Sequence, residues 1–348
     1  MSQSAKPGCA RLAREAGEEL PGTAPHALAW IVVEQPGPFG HDALFESRLP
    51  GDVARQLADE TADSAIKIVL ARRTVLHGGD PGAAPSSRAP SVAATEAVPL
   101  ASRSIWWTYR APAPKLFRLT FTNPRELLDL DWSALRSGRP DQVHPAAEVC
   151  RDPLLLLCTN GRRDVCCAAL ARPVAVQLAR DERYRASFME SSHLGGHRFA
   201  PGALQLPHGW AHGRLDFASA GAVLDAARAG RIHLDTARGR CALPSMGQAA
   251  ELAVRRAAGL DDFGAVAVSA AGLRAPANAS AGSSAVSAEL ASSAVSSTRE
   301  SAWTVTIAGV GEWTVAVLAS PGPPRPESCG AEPVPMIRYE TDVRPHAS

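Results

Sequence analysis

Apolar runs of strand length recur through the first half of the chain, and each is bounded by polar or turn-forming residues. These runs lie at 27–34, 65–70, 105–110 and 117–121. Residues 52–59 form a helical candidate between the first two runs. Short apolar runs bounded by turn signals are typical of strands, and their alternation with a helix is typical of an α/β layer structure. The pattern predicts an α/β domain over residues 26–147.

The second half begins with four consecutive leucines at 154–157, which run directly into Cys158. A strand without polar positions is expected to be parallel and buried on both faces. Pro173 suits the first turn of a helix, and apolar spacing follows over 174–181. The later elements are a short strand near residue 188, a hairpin over 203–215 and a helix over 222–229. This order predicts a second, compact α/β unit over residues 148–235.

The remaining segments differ from these two units in composition. A loop insertion is predicted at 78–98, where Gly, Ala, Pro and Ser dominate, and an Ala/Ser stretch at 270–298 is expected to be disordered. The outer segments are predicted as a flexible tail at 1–25, a C-terminal extension at 236–320 and a Pro-rich tail at 321–348. The extension should contain a helix at 247–258 and a hairpin formed by residues 303–307 and 313–317.

Charge and composition narrow the range of functions. The 348 residues carry a formal net charge of +1, with 20% charged and 45% hydrophobic residues. This balance gives no reason to expect a nucleic-acid or membrane-surface partner. The polar start of the chain lacks the apolar stretch of a secretion signal, so a cytoplasmic location is expected. Seven cysteines, an odd number, then favour metal or redox chemistry over a disulfide framework.

Thiols and imidazoles are concentrated in two neighbouring predicted loops. Cys158 and Cys167 enclose eight residues, and His193 and His197 enclose the three residues Leu-Gly-Gly. Thiolate and imidazole together are ligands for a transition metal. Glycines tolerate positive φ and let the backbone fold closely around a bulky group. The Cys loop leaves the end of a buried strand, which is where ligand sites of open α/β sheets tend to lie.

These motifs resemble the sucrase/ferredoxin-like family. The residues that carry the resemblance are CTNGRRDVCC at 158–167, SHLGGHRFAP at 192–201, LPHG at 206–209 and VVEQPGP at 32–38. The 150–235 unit also resembles thioredoxin-like [2Fe-2S] ferredoxins in the order of its elements. The resemblance implies an α/β fold in which a thioredoxin-like ferredoxin domain follows a second α/β domain. It also implies that one [2Fe-2S] cluster is held by Cys158, Cys167, His193 and His197.

The function implied by this resemblance is one-electron transfer with a redox partner protein, either a reductase or an electron acceptor. Thioredoxin-like ferredoxins often pair, which also allows a homodimer. Two neutral imidazoles in place of two thiolates leave an oxidised cluster site with less negative charge. Histidine ligation is therefore expected to raise the reduction potential and to make it depend on pH.

Other ligands and other functions stay open at the level of sequence. Cys166 could replace Cys167, although the family spacing favours Cys167. His208 and His212 repeat the His spacing but are expected to act at a turn or behind the ligands. Cys9, Cys150, Cys241 and Cys329 are scattered along the chain and are expected to be inert.

The alternative to an electron carrier is a structural zinc site that uses the same two cysteines and two histidines in a scaffold module. A Cys/His enzyme ranks third, because no Cys-x-x-Cys motif of the thioredoxin type is present. No pair of carboxylates suited to glycoside cleavage is identifiable, so sucrase activity is not expected.

Overall fold

A computed structural model describes residues 8–76, 102–264, 266–270 and 298–346. The first half contains four helices and five strands among these residues. In chain order they are α1 (Cys9–Glu15), β1 (Ala29–Glu34), α2 (Ala43–Glu46), α3 (Gly51–Thr61), β2 (Ile66–Arg72), β3 (Arg103–Tyr109), β4 (Phe117–Phe121), α4 (Trp132–Arg136) and β5 (Glu148–Val149). The predicted loop insertion at 78–98 lies outside the described residues.

The second half continues the alternation and then ends in long strands. Its elements are β6 (Leu154–Cys158), α5 (Val165–Arg180), β7 (Phe188–Ser191), β8 (Ala203–Leu206), β9 (Trp210–His212), α6 (Phe217–Arg228), β10 (Ala237–Arg240), α7 (Ser245–Ala258), β11 (Val266–Ala270), β12 (Arg299–Ile307), β13 (Gly311–Pro326) and β14 (Pro333–Pro345). The predicted α/β class is confirmed, and so are both predicted hairpins.

Ten strands from both halves form one mixed sheet in the order β10-β9-β8-β6-β7-β2-β1-β3-β4-β5. In the second half, β6 and β7 run parallel, β8 is antiparallel to β6, and β9 is antiparallel to β8. In the first half, β1 and β2 are parallel, β3 is antiparallel to β1, and β4 is antiparallel to β3. The two halves therefore repeat one topology.

The two halves meet where β2 pairs antiparallel with β7. A buried apolar cluster on one face of the sheet extends across this junction, from Trp30 and Val32 in the first half to Leu156 and Leu206 in the second. Cys158 and Cys167 lie at the edge of the same cluster. The predicted domain boundary at 147/148 thus falls within a continuous sheet, and residues 148–149 pair with β4.

Both predicted tails are wrong for the residues that the structure describes. Helix α1 lies inside the predicted 1–25 tail and buries Cys9, Ala10 and Ala13. The predicted 321–348 tail contains the end of β13 and all of β14. These strands complete a second sheet, β11-β12-β13-β14, which packs Val305, Val315 and other apolar residues against α7. Of the segment predicted as disordered at 270–298, residues 271–297 lie outside the described residues.

Helix α5 begins eight residues before the predicted start at Pro173. Asp164 caps it, and Pro173 lies inside the helix. Proline is expected at a helix start, because an interior proline removes a hydrogen bond and is costly. Here Ala171, Val174, Ala175 and Leu178 bury the inner face of the helix. The cap and this buried face outweigh the unfavourable interior proline.

An ion pair at the junction of the two halves connects the sheet to the predicted Cys loop. The Arg72 guanidinium donates to the Glu190 carboxylate at 2.9 Å, and only 19% and 9% of these side chains are exposed. The Thr159 hydroxyl donates to the same carboxylate at 2.7 Å. Thr159 directly follows Cys158, so the carboxylate of Glu190 fixes the backbone at the start of the Cys loop.

Glu190→Gln should lower the free energy of unfolding by about 3 kcal/mol, because it leaves the largely buried Arg72 without its counter-charge. The matched control is Glu148→Gln, which removes an Arg–Glu pair with Arg118 whose side chains are 44% and 73% exposed. That exposed pair should contribute at most about 1 kcal/mol. Urea unfolding of the three proteins measures both effects. Equal losses in the two variants would contradict the structural role of Glu190.

Candidate metal centre

Cys158 is the last residue of β6, at the end of the sheet where the parallel strands β6 and β7 finish. Its backbone amide donates to the Gly202 carbonyl at 2.9 Å, which holds the strand against β8. In the loop that follows, the Asn160 side-chain oxygen accepts from the amides of Arg162 and Arg163 at 3.2 and 3.3 Å. This tight turn brings the chain back to the sheet end and directly into helix α5.

Cys167 lies in the first turn of α5. The Asp164 carboxylate caps the helix by accepting from the Cys166 amide at 2.8 Å, and the Asp164 carbonyl accepts from the Cys167 amide at 3.1 Å. An Asp at this position satisfies backbone N–H groups that the helix leaves without partners. The helix start at Val165 therefore brings Cys167 back to the sheet end, beside Cys158.

The two histidines follow β7 in a loop that two glycines shape. Gly195 and Gly196 have φ of +90° and +78°, a region that residues with a Cβ rarely adopt. This turn stacks the imidazole rings of His193 and His197 with centroids 4.0 Å apart and planes within 10°. Both rings are thus presented to the Cys loop from the same side.

A buried arginine supports the His loop from beneath. The Arg238 guanidinium donates to the Gly195 carbonyl at 3.0 Å and to the Thr23 hydroxyl at 3.1 Å. Arg238 is 2% exposed. A Cβ at Gly196 would overlap the Arg238 guanidinium. The positive φ and the missing side chain are therefore both required at Gly196.

The structure brings together all four residues that the sequence singles out. The ligand atoms of Cys158, Cys167 and His193 all lie within 4.8 Å of one another. The Cys167 sulfur lies 3.6 Å from Nδ1 of His197. The thiols are buried, and the two imidazoles lie nearer the surface, with 12% of the His197 side chain exposed. The chain thus forms a centre with thiols inside and imidazoles outside.

The protonation states of this centre suit a metal ligand set. A hydrogen bond from the Cys167 thiol holds the pKa of Cys158 well below its usual range, and His193 acts in the same direction. The same hydrogen bond and burial raise the pKa of Cys167. Burial and then the neighbouring His193 lower the pKa of His197 to about 4. A thiolate at Cys158 and a neutral imidazole at His197 are the forms that bind metals.

One comparison with known proteins connects this geometry to a family. The sequence model of the sucrase/ferredoxin-like family matches residues 20–239, which is more than half of the chain. The chain belongs to the sucrase/ferredoxin-like family. Searches of curated proteins and of solved structures found no match. The family match ends at β10, so it covers the ten-stranded sheet and leaves out the second sheet.

The rival histidines of this sucrase/ferredoxin-like chain lie elsewhere. His208 stacks on Phe263 at the β8-β9 turn, with ring centroids 3.6 Å apart. His212 is buried in β9, and its Nδ1 lies 3.0 Å from the Thr236 hydroxyl. Neither joins a group of three or more metal-binding side chains among the described residues. Within the same residues, no helix is long and apolar enough to cross a bilayer.

A second group of cysteines, which the sequence does not predict, lies next to this centre. Cys9, Asp164, Cys166 and Cys329 place their sulfur and carboxylate atoms within 4.8 Å of one another. Cys9 and Cys329, which are scattered in the sequence, thus lie together in the structure, whereas Cys150 and Cys241 join no such group among the described residues. Only the neighbouring pair Cys166-Cys167 hinted at a second group, because adjacent helical residues point in different directions. The spacing of the other members gives no signal.

Gly196→Ala should reduce metal affinity about 10–100-fold, which is the range found when a group that orients metal ligands is removed. The new methyl displaces Arg238 and moves His197. The control Gly195→Ala adds a Cβ that meets only Pro25 at ordinary contact distances of 3.6 and 3.9 Å. Gly195→Ala therefore has the same backbone strain from a positive φ, but its methyl group does not overlap Arg238. Metal content after dialysis against a graded chelator measures the difference, and equal retention in the two variants would refute the role of Arg238.

Proposed function

We propose that this protein is a one-electron carrier that holds a [2Fe-2S] cluster through Cys158, Cys167, His193 and His197. The observation that carries the proposal is the convergence of two thiols and two imidazoles, from two separate loops, at one end of the sheet. The membership of a ferredoxin-like family supports iron–sulfur chemistry at this position. The same site would then take an electron from one redox protein and give it to another.

The donor set fits such a cluster in chemistry and in placement. Thiolates bind iron in iron–sulfur proteins, and two histidines replace two cysteines in centres of raised potential. Each loop here supplies like donors, so one iron would have two thiolates and the other two imidazoles. The buried cationic Arg238 lies behind the His loop and donates to the Gly195 carbonyl, whereas the charge of Arg198 is compensated by Glu18 at 2.6 Å. Positive charge near the site favours the reduced state of a bound cluster.

The burial pattern indicates the route that an electron would take. The sulfur side faces the apolar cluster with Cys158 at 4% and Cys167 at 3% exposure. The imidazole side is the one that reaches the surface. A partner protein would therefore approach the His193 and His197 edge, where the distance between donor and acceptor is shortest. Ligation by histidine is expected to give a potential above that of plant-type ferredoxins and a dependence on pH.

A structural zinc site is the second candidate, and one observation favours it. The ligand atoms of Cys158, Cys167 and His193 lie within 4.8 Å of one another, which also suits a single tetrahedral ion. Zinc accepts two thiolates and two imidazoles readily. In that case the same four residues would stabilise a scaffold and would carry no electron.

Anaerobic purification separates the two candidates. The electron carrier should be brown, contain iron and acid-labile sulfide in equal amounts, and give a rhombic EPR signal after reduction. His193→Ala and His197→Ala should lose most of that iron. A colourless preparation whose four-residue site contains stoichiometric zinc and no sulfide would establish the scaffold instead.

His197→Cys should keep the cluster and lower its reduction potential by on the order of 100 mV or more, because a thiolate adds negative charge beside the iron. The same variant should weaken the pH dependence of the potential, since one titrating imidazole is removed. The matched control is His208→Cys, which changes a half-buried histidine outside the site. Protein-film voltammetry between about pH 6 and 9 measures both quantities. A potential unchanged in His197→Cys would contradict ligation by His197.

A further inference from the structure

We propose that Cys9, Asp164, Cys166 and Cys329 form a second metal site, a tetrahedral zinc site that binds α1 and the β13-β14 connection to helix α5. Three thiols and one carboxylate from three distant segments meet at this point. Cys9 opens α1, Asp164 and Cys166 lie at the start of α5, and Cys329 lies between β13 and β14. The inference is independent of the metal in the Cys158 centre.

The distances are close to those that a tetrahedral ion requires. The Cys329 sulfur lies 3.2 Å from the Cys166 sulfur and 3.6 Å from the Cys9 sulfur. The Cys9 sulfur lies 3.6 Å from Oδ2 of Asp164. Thiolates at 2.3 Å from zinc in a tetrahedron are about 3.8 Å apart. A small outward movement of the sulfurs would therefore admit the ion.

The carboxylate is what distinguishes this group from a packed set of apolar thiols. Asp164 is 3% exposed, and its two oxygens accept from the Cys166 and Cys329 amides at 2.8 and 2.7 Å. No Lys or Arg of the described residues forms an ion pair with it, and the only basic group at pairing distance is Nδ1 of His197, at 4.0 Å. The helix start and these two amides already stabilise the carboxylate, and zinc binds thiolate and carboxylate together, so Asp164 can serve as the fourth ligand beside the three thiols.

The backbone around the sulfurs is also fitted to them. A Cβ at Gly8 would lie 2.6 Å from the Cys166 sulfur and 3.6 Å from the Cys329 sulfur. The chain therefore passes this group at a residue without a side chain. A Cys166–Cys329 disulfide would use two of the thiols and leave Cys9 and Asp164 without a role. A metal ion uses all four groups, so we favour the metal.

Such a site would hold three segments of the chain together. Cys166 and Cys167 are neighbours in the first turn of α5. A metal bound to Cys166 would therefore also fix the position of Cys167 in the Cys158 centre. It would also hold α1 and the β13-β14 connection over that helix. Binding free energy at a structural zinc site contributes directly to folding. Removal of this zinc should loosen α1 and the β13-β14 connection first.

The test measures iron and zinc in the full-length protein by inductively coupled plasma mass spectrometry after anaerobic purification. Wild type should contain one zinc per chain in addition to the iron of the Cys158 centre. Cys9→Ser and Cys329→Ser should lose that zinc and keep the iron and its EPR signal. Cys158→Ser should lose the iron and keep the zinc. The matched control Cys150→Ser, at a half-buried cysteine outside both groups, should keep both.

Two results would overturn the proposal. One is a wild-type protein whose zinc content does not fall in Cys9→Ser and Cys329→Ser. The other is a Cys166–Cys329 disulfide, seen by peptide mass spectrometry after alkylation without reduction. If the serine variants do not fold, cobalt(II) substitution of wild type decides, because the thiolate-to-cobalt absorption should correspond to three thiolates at one ion. If the electron-carrier proposal fails, iron and sulfide will be missing from wild type. The loss of zinc in Cys9→Ser and Cys329→Ser can still be measured in that case.

Discussion

The start of helix α5 is the constraint on which the rest of the site depends. Asp164 caps the helix, and this fixes the directions of the next two cysteines. Adjacent helical residues point to different sides, so Cys167 meets Cys158 and His197 while Cys166 meets Cys9 and Cys329. If the helix began at Pro173, neither cysteine would be held by helical geometry. One cap therefore organises two groups of metal-binding side chains.

The sheet explains what the first half of the chain contributes. Both halves have the same strand order, and they join through β2 and β7. Without the first half, β7 would be an edge strand next to the metal centre, with unpaired backbone groups that invite association. Here β2 occupies that edge. The backbone of β7 is therefore paired within the chain at this edge.

The sequence was sufficient for the parts of the site that depend on local spacing. Cys158 at the end of an apolar run and the Gly-Gly turn between His193 and His197 are local patterns, and the structure brings these residues together. It was not sufficient for Cys9 and Cys329, which are 320 residues apart and meet only because the connection between β13 and β14 lies against the start of α5. The start of α5 was not predicted, because the preference of proline for the first turn takes no account of the stabilisation that the buried face of α5 provides.

Asp164 also connects the two groups to each other. Its carboxylate lies 3.6 Å from the Cys9 sulfur and 4.0 Å from Nδ1 of His197. A cation at the Cys9 group would partly neutralise the negative charge of this carboxylate. The electrostatic potential that Asp164 exerts on the imidazole of His197 would then be less negative. Since electrostatic effects at a few ångströms are large in a buried environment, a cation at the Cys9 group should change the potential of a metal bound at the Cys158 group.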